Sequence, residues 1–242
     1  MKKALLLLFL FSTFIGYSQK LYKAVENKDL LKVQHLVEKG ADVNEYAKNG
    51  LFPLWRATAD NSYEIAKFLI ENGANVNQEN KVEPGKSTPL QYPYQEGYYD
   101  IIKLLIDNGA DVNYKGFHDF TPICIAARNG HLEVIKLLGD SGAEVDFRAD
   151  DGATPLEHAA SKGHYEVCKY LIENGADVNN VDTEGDFALG EAAKRGYLDI
   201  IQLLIDNGAD LSIENAEKMT ALDIAKRQGQ KKTADLIEKH MK

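Results

Sequence analysis

The sequence predicts an all-α protein, a solenoid of about seven stacked helix pairs joined by β-hairpin-like finger loops. Three observations carry that expectation. First, the string Gly-Ala-Asp-Val-Asn, or a close variant, starts at Gly40, Gly73, Gly109, Gly142, Gly175 and Gly208, at spacings of 33, 36, 33, 33 and 33. Self-similarity at a fixed period of this size marks stacked supersecondary units. Second, thirteen residues separate each glycine from Pro53, Pro122, Pro155, Ala188 or Ala221, sixteen separate Gly73 from Pro89, and twenty always lead to the next glycine. The helical part therefore keeps its length, and three extra residues belong to one connector. Third, 44% hydrophobic and 27% charged residues over 242 positions is ordinary globular usage, while two cysteines are too few for a disulfide framework. Stability has to come from packing.

The N-terminus is a separate matter. Lys2 and Lys3 precede an apolar run from Ala4 to Ile15, and small residues follow at Gly16 and Ser18. Residues 1–18 read as a signal peptide cut before Gln19, because twelve apolar residues fall short of the roughly 20 that cross a bilayer in helix. The expectation is an exported, bacterial-type protein, periplasmic or secreted, with no membrane insertion after cleavage. Residues 19–242 then form a single domain: an N-terminal cap at about 20–44, internal repeats at about 45–214 and a C-terminal cap at about 215–242.

Within a unit the local chemistry is explicit. Thr154 is placed to cap a helix N-terminus, and Pro155 at the first helical position loses no bond there. Ala159 and Ala160 are small enough for a second helix to approach closely. Gly163-His164 turns the chain, Val167, Tyr170, Leu171 and Ile172 supply the apolar side of the next helix, and Gly175 ends it by entering the left-handed region at no Cβ cost. Asp177 to Asp186 form the finger. The first pair, Leu21 to Asn27 and Leu30 to Lys39, lacks the Thr-Pro start, and the last helix, from Lys231 to His240, is polar outside, as the ends of a stack require. The third pair is irregular: Pro93 and Tyr94 stand where alanines recur, so a shortened or distorted helix is expected.

These strings resemble the ankyrin repeat, most clearly in Thr121-Pro122-Ile123, Thr154-Pro155-Leu156-Glu157-His158-Ala159-Ala160, Gly130-His131 and Gly163-His164. The resemblance covers about Lys20 to Lys242. It implies a non-enzymatic module that binds a protein partner through a concave groove lined by finger tips and by the exposed ends of the first helices.

Several chemistries find no support. Lys+Arg 28 against Asp+Glu 37 gives a net charge of −9, the wrong sign for a nucleic-acid binder. Gly85-Lys86-Ser87 imitates a phosphate loop, but Asn80 stands where its first glycine belongs. No His-Glu-x-x-His or Cys-x-x-Cys spacing occurs, so neither a metal nor a cofactor is expected. Asp42, Asp111, Asp177 and Asp210 lack the spacing of a calcium loop and read as turn-stabilising side chains. Cys124 and Cys168 read as buried free thiols, His131 and His164 as turn residues.

Carrying the groove over to matching positions gives the partner-binding candidates. Asp60 and Glu96 lie at the first-helix ends of the early repeats, and Arg128, Lys162, Lys194 and Arg195 at those of the later ones, with Arg148 on a finger. A basic floor beside acidic finger tips is either a solvated mixed surface or the seat of an acidic partner segment. Phe117, His118 and Phe120 crowd one finger as candidate anchors, the alternative being that the phenylalanines pack on the lengthened finger before them. Trp55 and Tyr94 mark the irregular region, where Tyr92 to Tyr99 could instead shape a small-ligand or enzyme cleft. A monomer that inhibits or scaffolds its partner is the working expectation.

Overall fold

The computed structural model describes residues 19–82, 86–116 and 120–241. The expected signal peptide, Phe117 and His118 lie outside them. Fourteen helices are present among the described residues: α1 (19–26), α2 (Leu30–Glu38), α3 (Pro53–Ala59), α4 (Tyr63–Glu71), α5 (Gln91–Glu96), α6 (Tyr99–Asp107), α7 (Pro122–Asn129), α8 (Leu132–Asp140), α9 (Pro155–Lys162), α10 (Tyr165–Glu173), α11 (Ala188–Arg195), α12 (Leu198–Asp206), α13 (Ala221–Arg227) and α14 (Lys231–His240). They form seven consecutive pairs, and the fold is the expected all-α solenoid.

Two compact units divide the chain, one ending at Asp111 and the other starting at Val112. In the first, α2 packs on α4, α4 on α6, and α3 on α5. In the second, one row runs α7, α9, α11, α13 and the other α8, α10, α12, α14, each helix packing on the next of its row. The alanines Ala126, Ala127, Ala159, Ala160, Ala192, Ala193 and Ala225 are wholly buried in the first row, so the close approach anticipated from their size is realised. In α10 the buried stripe is Val167, Cys168 and Leu171, whereas Tyr170 and Ile172 are half-buried. Tyr170 lies instead across the preceding pair, where a Cβ on Gly139 would meet its hydroxyl at 2.5 Å.

Helix starts follow the proline logic, with one difference in the caps. Thr154 and Thr220 accept from the backbone N–H three residues on, but the Thr121 hydroxyl turns inward to the Cys124 Sγ at 3.3 Å. Helix α5 is shortened, as expected. Pro93 has no N–H to give Pro89, Tyr94 N reaches the Leu90 carbonyl only at 3.4 Å, and regular helix begins at Gln91 rather than at Pro89.

Fingers close without forming a ladder. An equivalent backbone hydrogen bond closes each turn: Ala47 N to Leu51 O, Asn80 N to Ser87 O, Gly116 N to Phe120 O, Ala149 N to Ala153 O, Asp182 N to Asp186 O and Asn215 N to Met219 O. In four of them a tighter bond lies inside it, from Gly50 N, Gly152 N, Gly185 N and Lys218 N back to Ala47 O, Ala149 O, Asp182 O and Asn215 O. The Asn80 to Ser87 bond encloses three more residues than its equivalents, which places the insertion in that finger. Among the described residues a single isolated bridge, Glu214 with Thr220, is all the strand pairing there is.

Adjacent copies are stitched at the repeated string itself. In the first unit the Asn44 amide donates to Gly73 O at 2.9 Å and accepts from Asn75 N at 2.8 Å. Asn77 does the same with Gly109 O and Asp111 N. In the second unit Asn113 joins Gly142 O and Glu144 N, and Asn179 joins Gly208 O and Asp210 N. At the equivalent position Asp146 accepts from Asp177 N at 3.1 Å, but a carboxylate has no N–H to offer Gly175 O. Asp42, Asp177 and Asp210 meanwhile accept from the backbone two residues on, the turn role expected of them.

Candidate functional site

In the first unit, most of the marked residues serve the fold. Tyr94 is 1% exposed and one of the largest side chains in the core, so it offers no surface to a partner. The alanine column it occupies faces inward, and a tyrosine there goes where the alanines go. Trp55 is half-buried, donates Nε1 to Ser87 Oγ at 2.9 Å and meets Tyr92 edge-on at 5.6 Å. Tyr92 itself is 44% exposed. The Asp60 carboxylate is held by Arg56 Nε at 2.6 Å, and its carbonyl by Lys28 Nζ at 3.1 Å. Glu96 is exposed at the end of α5.

The second unit brings the remaining candidates onto one side of its first-helix row. Arg128, Lys162, Lys194 and Arg195 are all exposed, in the last turns of α7, α9 and α11. Part of the expected basic floor is already neutralised: Lys194 pairs with Glu191 at 2.8 Å, Arg227 with Glu217, and Arg148 with Asp177 at 3.4 Å. Among the described residues Arg128, Lys162 and Arg195 make no such pair. Cations in a last turn also gain from the helix dipole, about 0.3–1 kcal/mol each, so their placement alone is not a binding argument.

Phe120 packs toward the following helix pair. It is half-buried, 5.2 Å from the His158 ring on α9 of the next pair, so much of its apolar surface is used internally. His164, which follows a turn glycine, does more than turn the chain. His164 Nε2 bonds the Arg128 carbonyl at 3.1 Å, and its ring fills the space a Cβ on Gly130 would need, at 2.6 Å. Tyr197 covers Gly163 in the same way. The Gly163-His164 and Gly196-Tyr197 steps thus each dock one pair onto the pair before it. Both cysteines are buried and free, and burial pushes the Cys124 thiol up to about 11 and that of Cys168 to about 12.

Sequence reasoning missed Glu157 and His158. Glu157 is 8% exposed, and its Oε2, like His158 Nε2, has no hydrogen-bond partner among the described residues. Burial, reinforced by Asp182, Asp186, Asp151 and Glu191, raises the Glu157 carboxyl to about 8. Burial and the Arg128 charge lower His158, so both are neutral near pH 7. The Thr154-x-x-Glu157 spacing looks like a capping box, which would draw the carboxylate out to the helix start. Reciprocal capping occurs at Thr220 and Asp223 instead. Cys124, one repeat earlier at the same position, is likewise wholly buried.

Paired helices, short finger turns and side-chain rungs between copies define a repeat scaffold that exposes its helix ends and finger tips. The family model for ankyrin repeats (3 copies) matches residues 21–116, 114–182 and 177–241, and the chain belongs to the ankyrin-repeat family. The crystal structure of the human ASB11 ankyrin repeat domain superposes with a TM-score of 0.79 at 29% identity, covering 90% of this chain and 96% of that one. Human Arf-GAP with coiled-coil, ANK repeat and PH domain-containing protein 2 is 38% identical over 73 residues, 29% of this chain and 9% of that protein. "Probable palmitoyltransferase AKR2" of Saccharomyces uvarum is 46% identical over 57 residues, 23% of this chain and 8% of that protein. The match thus spans under a tenth of the length of these curated relatives. Ankyrin repeats are in general protein–protein interaction modules, and their fold is typically a binding scaffold.

Proposed function

We propose that this chain is an exported ankyrin-repeat module that binds a protein partner through the first-helix ends and finger tips of its second unit, engaging an acidic segment of that partner. One observation carries the reading: Arg128, Lys162 and Arg195 are exposed and unpaired among the described residues, at the ends of three helices that pack consecutively. Packed helices lie about 8–10 Å apart. An extended chain advances roughly 3.3 Å per residue, so acids about every third residue match that row. Export rests on the Lys2-Lys3 start and the apolar run that follows it.

The test is capture from the exported fraction by the purified chain, beside an R128E/K162E/R195E variant with an unchanged circular dichroism spectrum. A specific partner retained by the parent and lost by the variant supports the surface, and equal capture by both overturns it. A 1:1 complex that blocks the partner's activity identifies an inhibitor, whereas a partner that stays active in the complex identifies a scaffold. Export is checked by the mass of the protein recovered outside the cytoplasm, expected to begin at Gln19.

A further inference from the structure

Beyond the cationic row, the second unit holds a notch of about 300 Å³ between α11 and α13, where two fingers meet the helix ends. Phe187, Ile224 and Met219 supply its apolar lining, the first two buried and Met219 half-buried. Six ionisable side chains line it. Lys194 is tied to Glu191 and Arg227 to Glu217, so the two cations are each matched by an acid, and Glu184 and Asp186 are left over. Asp186 is held above the usual carboxylate range by burial and by neighbouring Glu191 and Asp182, with Lys194 opposing.

The electrostatics beside the notch point the same way. Outside the notch lining, Glu157 on α9 is more than nine-tenths buried with its Oε2 unpartnered, and the charges of Asp182 and Asp186 on the intervening finger and of Glu191 on α11 act on it. Removing Glu157 from water already disfavours its ionisation, and the surrounding acids disfavour it further. The local field is therefore negative. Among the described residues no three His, Cys, Asp or Glu side chains are arranged to hold a metal ion, so the chemistry favours an organic cation. The volume is at the low end for ligand pockets, enough for one long side chain.

We propose that this notch takes a lysine or arginine side chain of the protein partner, the alkyl stem against Met219 and the charged head between Glu184 and Asp186. Long cationic side chains combine an apolar stem with a charged tip, which is the pattern the notch presents in reverse. This rests on the reading that the same side of the second unit is the binding surface. The partner segment then carries acids along the Arg128–Lys162–Arg195 row and a cation beyond them, toward α13.

N-acetyl-arginine amide is the probe, with its uncharged isostere N-acetyl-citrulline amide as the control. Each is titrated into the 15N-labelled chain while amide shifts are followed. Arginine should bind about five-fold more tightly than citrulline, as two exposed charge contacts allow, with shifts centred on Gly190, Glu191 and Ala216. The preference should vanish in E184Q/D186N and in E184Q alone shrink by about half. Equal binding of the two probes, shifts centred elsewhere, or a preference that survives in a well-dispersed E184Q/D186N spectrum overturns the proposal. If the preference fails while R128E/K162E/R195E still abolishes capture, the notch is wrong and the binding surface stands. If the preference holds while that triple variant captures normally, the cation site stands and the acidic-segment surface falls.

Discussion

Replacing Glu157 with glutamine should remove a pH dependence that this one carboxyl imposes on stability. In the folded chain the group is raised from 4.5 to about 8 by burial first and then by Asp182, Asp186, Asp151 and Glu191. The unfolded chain ionises near the ordinary value, so between about pH 4.5 and 8 the native state binds more protons than the unfolded one. The stabilisation is then complete at low pH and is lost as pH rises through 8. Each unit is worth about 1.4 kcal/mol, and from pH 5 to pH 8 the parent should lose about 3 kcal/mol relative to E157Q. His158 acts in the opposite sense: its lowered value means stability gained above its normal range and lost as pH falls. That contribution is common to both proteins and cancels in the comparison. Thermal melts followed by circular dichroism are sufficient, because about 1 kcal/mol moves Tm by roughly 2–4 °C in a chain of this size. The E157Q-minus-parent difference in Tm should therefore rise by about 6–12 °C between pH 5 and 8. A difference that stays flat with pH would show that the carboxyl ionises normally and is not shielded in the fold.

Three further perturbations test the packing. Asp146→Asn supplies the N–H that Gly175 O lacks while keeping the acceptor for Asp177 N, and should stabilise by about 1 kcal/mol in urea unfolding; Asn179→Asp should cost a similar amount, and no change in either would refute the rung. Gly163 and Gly208 both have positive φ, of 82° and 86°, but a Cβ at Gly163 meets the Tyr197 ring at 2.8 Å, whereas none of the neighbours of Gly208 comes within 4 Å. Gly208→Ala should cost about 1–2 kcal/mol from backbone strain, and Gly163→Ala more, with the excess disappearing in a Gly163→Ala/Tyr197→Ala background. Cys124 and Cys168, with thiols pushed to about 11 and 12, should react with a disulfide reagent at pH 8 only as fast as the chain unfolds; rapid labelling of the native protein would contradict their burial.

What could be read from the sequence was whatever recurs within one copy. The helix pairs, the proline starts, the inserted finger residues and the short α5 all follow from local rules: a missing N–H at Pro93 acts on its own helix wherever that helix is packed. What could not be read depends on the next copy. The asparagines at 44, 77, 113 and 179 were visible as a pattern, yet their partners are a carbonyl and an amide one repeat away, reached only after stacking sets the register. His164 looked like part of a turn for the same reason. Tyr94 was misjudged because its size suggested a surface feature, whereas its column dictated burial. Glu157 was hidden because its column reads Trp55, Gln91, Cys124, Glu157, Gly190 and Asp223, a mixture with no common polarity from which burial could be inferred.

The same dependence on stacking bears on binding. A single last-turn arginine is a solvated cation with a small dipole benefit, and nothing about Arg128 alone distinguishes it from Lys194. The difference arises one helix away and one finger away. Lys194 has Glu191 three residues earlier on its own helix, and Arg227 has Glu217 on its own finger, so both charges are spent before a partner arrives. At the place of Glu191, α9 carries His158 and α7 carries Ile125, neither of them an acid. Arg128 and Lys162 therefore keep their charge available, and the inter-copy rungs hold the helices that carry them in register. Electrostatic complementarity of this kind speeds encounter and fixes register more than it deepens affinity. The apolar contribution has to come from elsewhere on the same side, and with Phe120 packed against the His158 ring, half-buried Met219 in the notch is one place where the described surface of the second unit offers it.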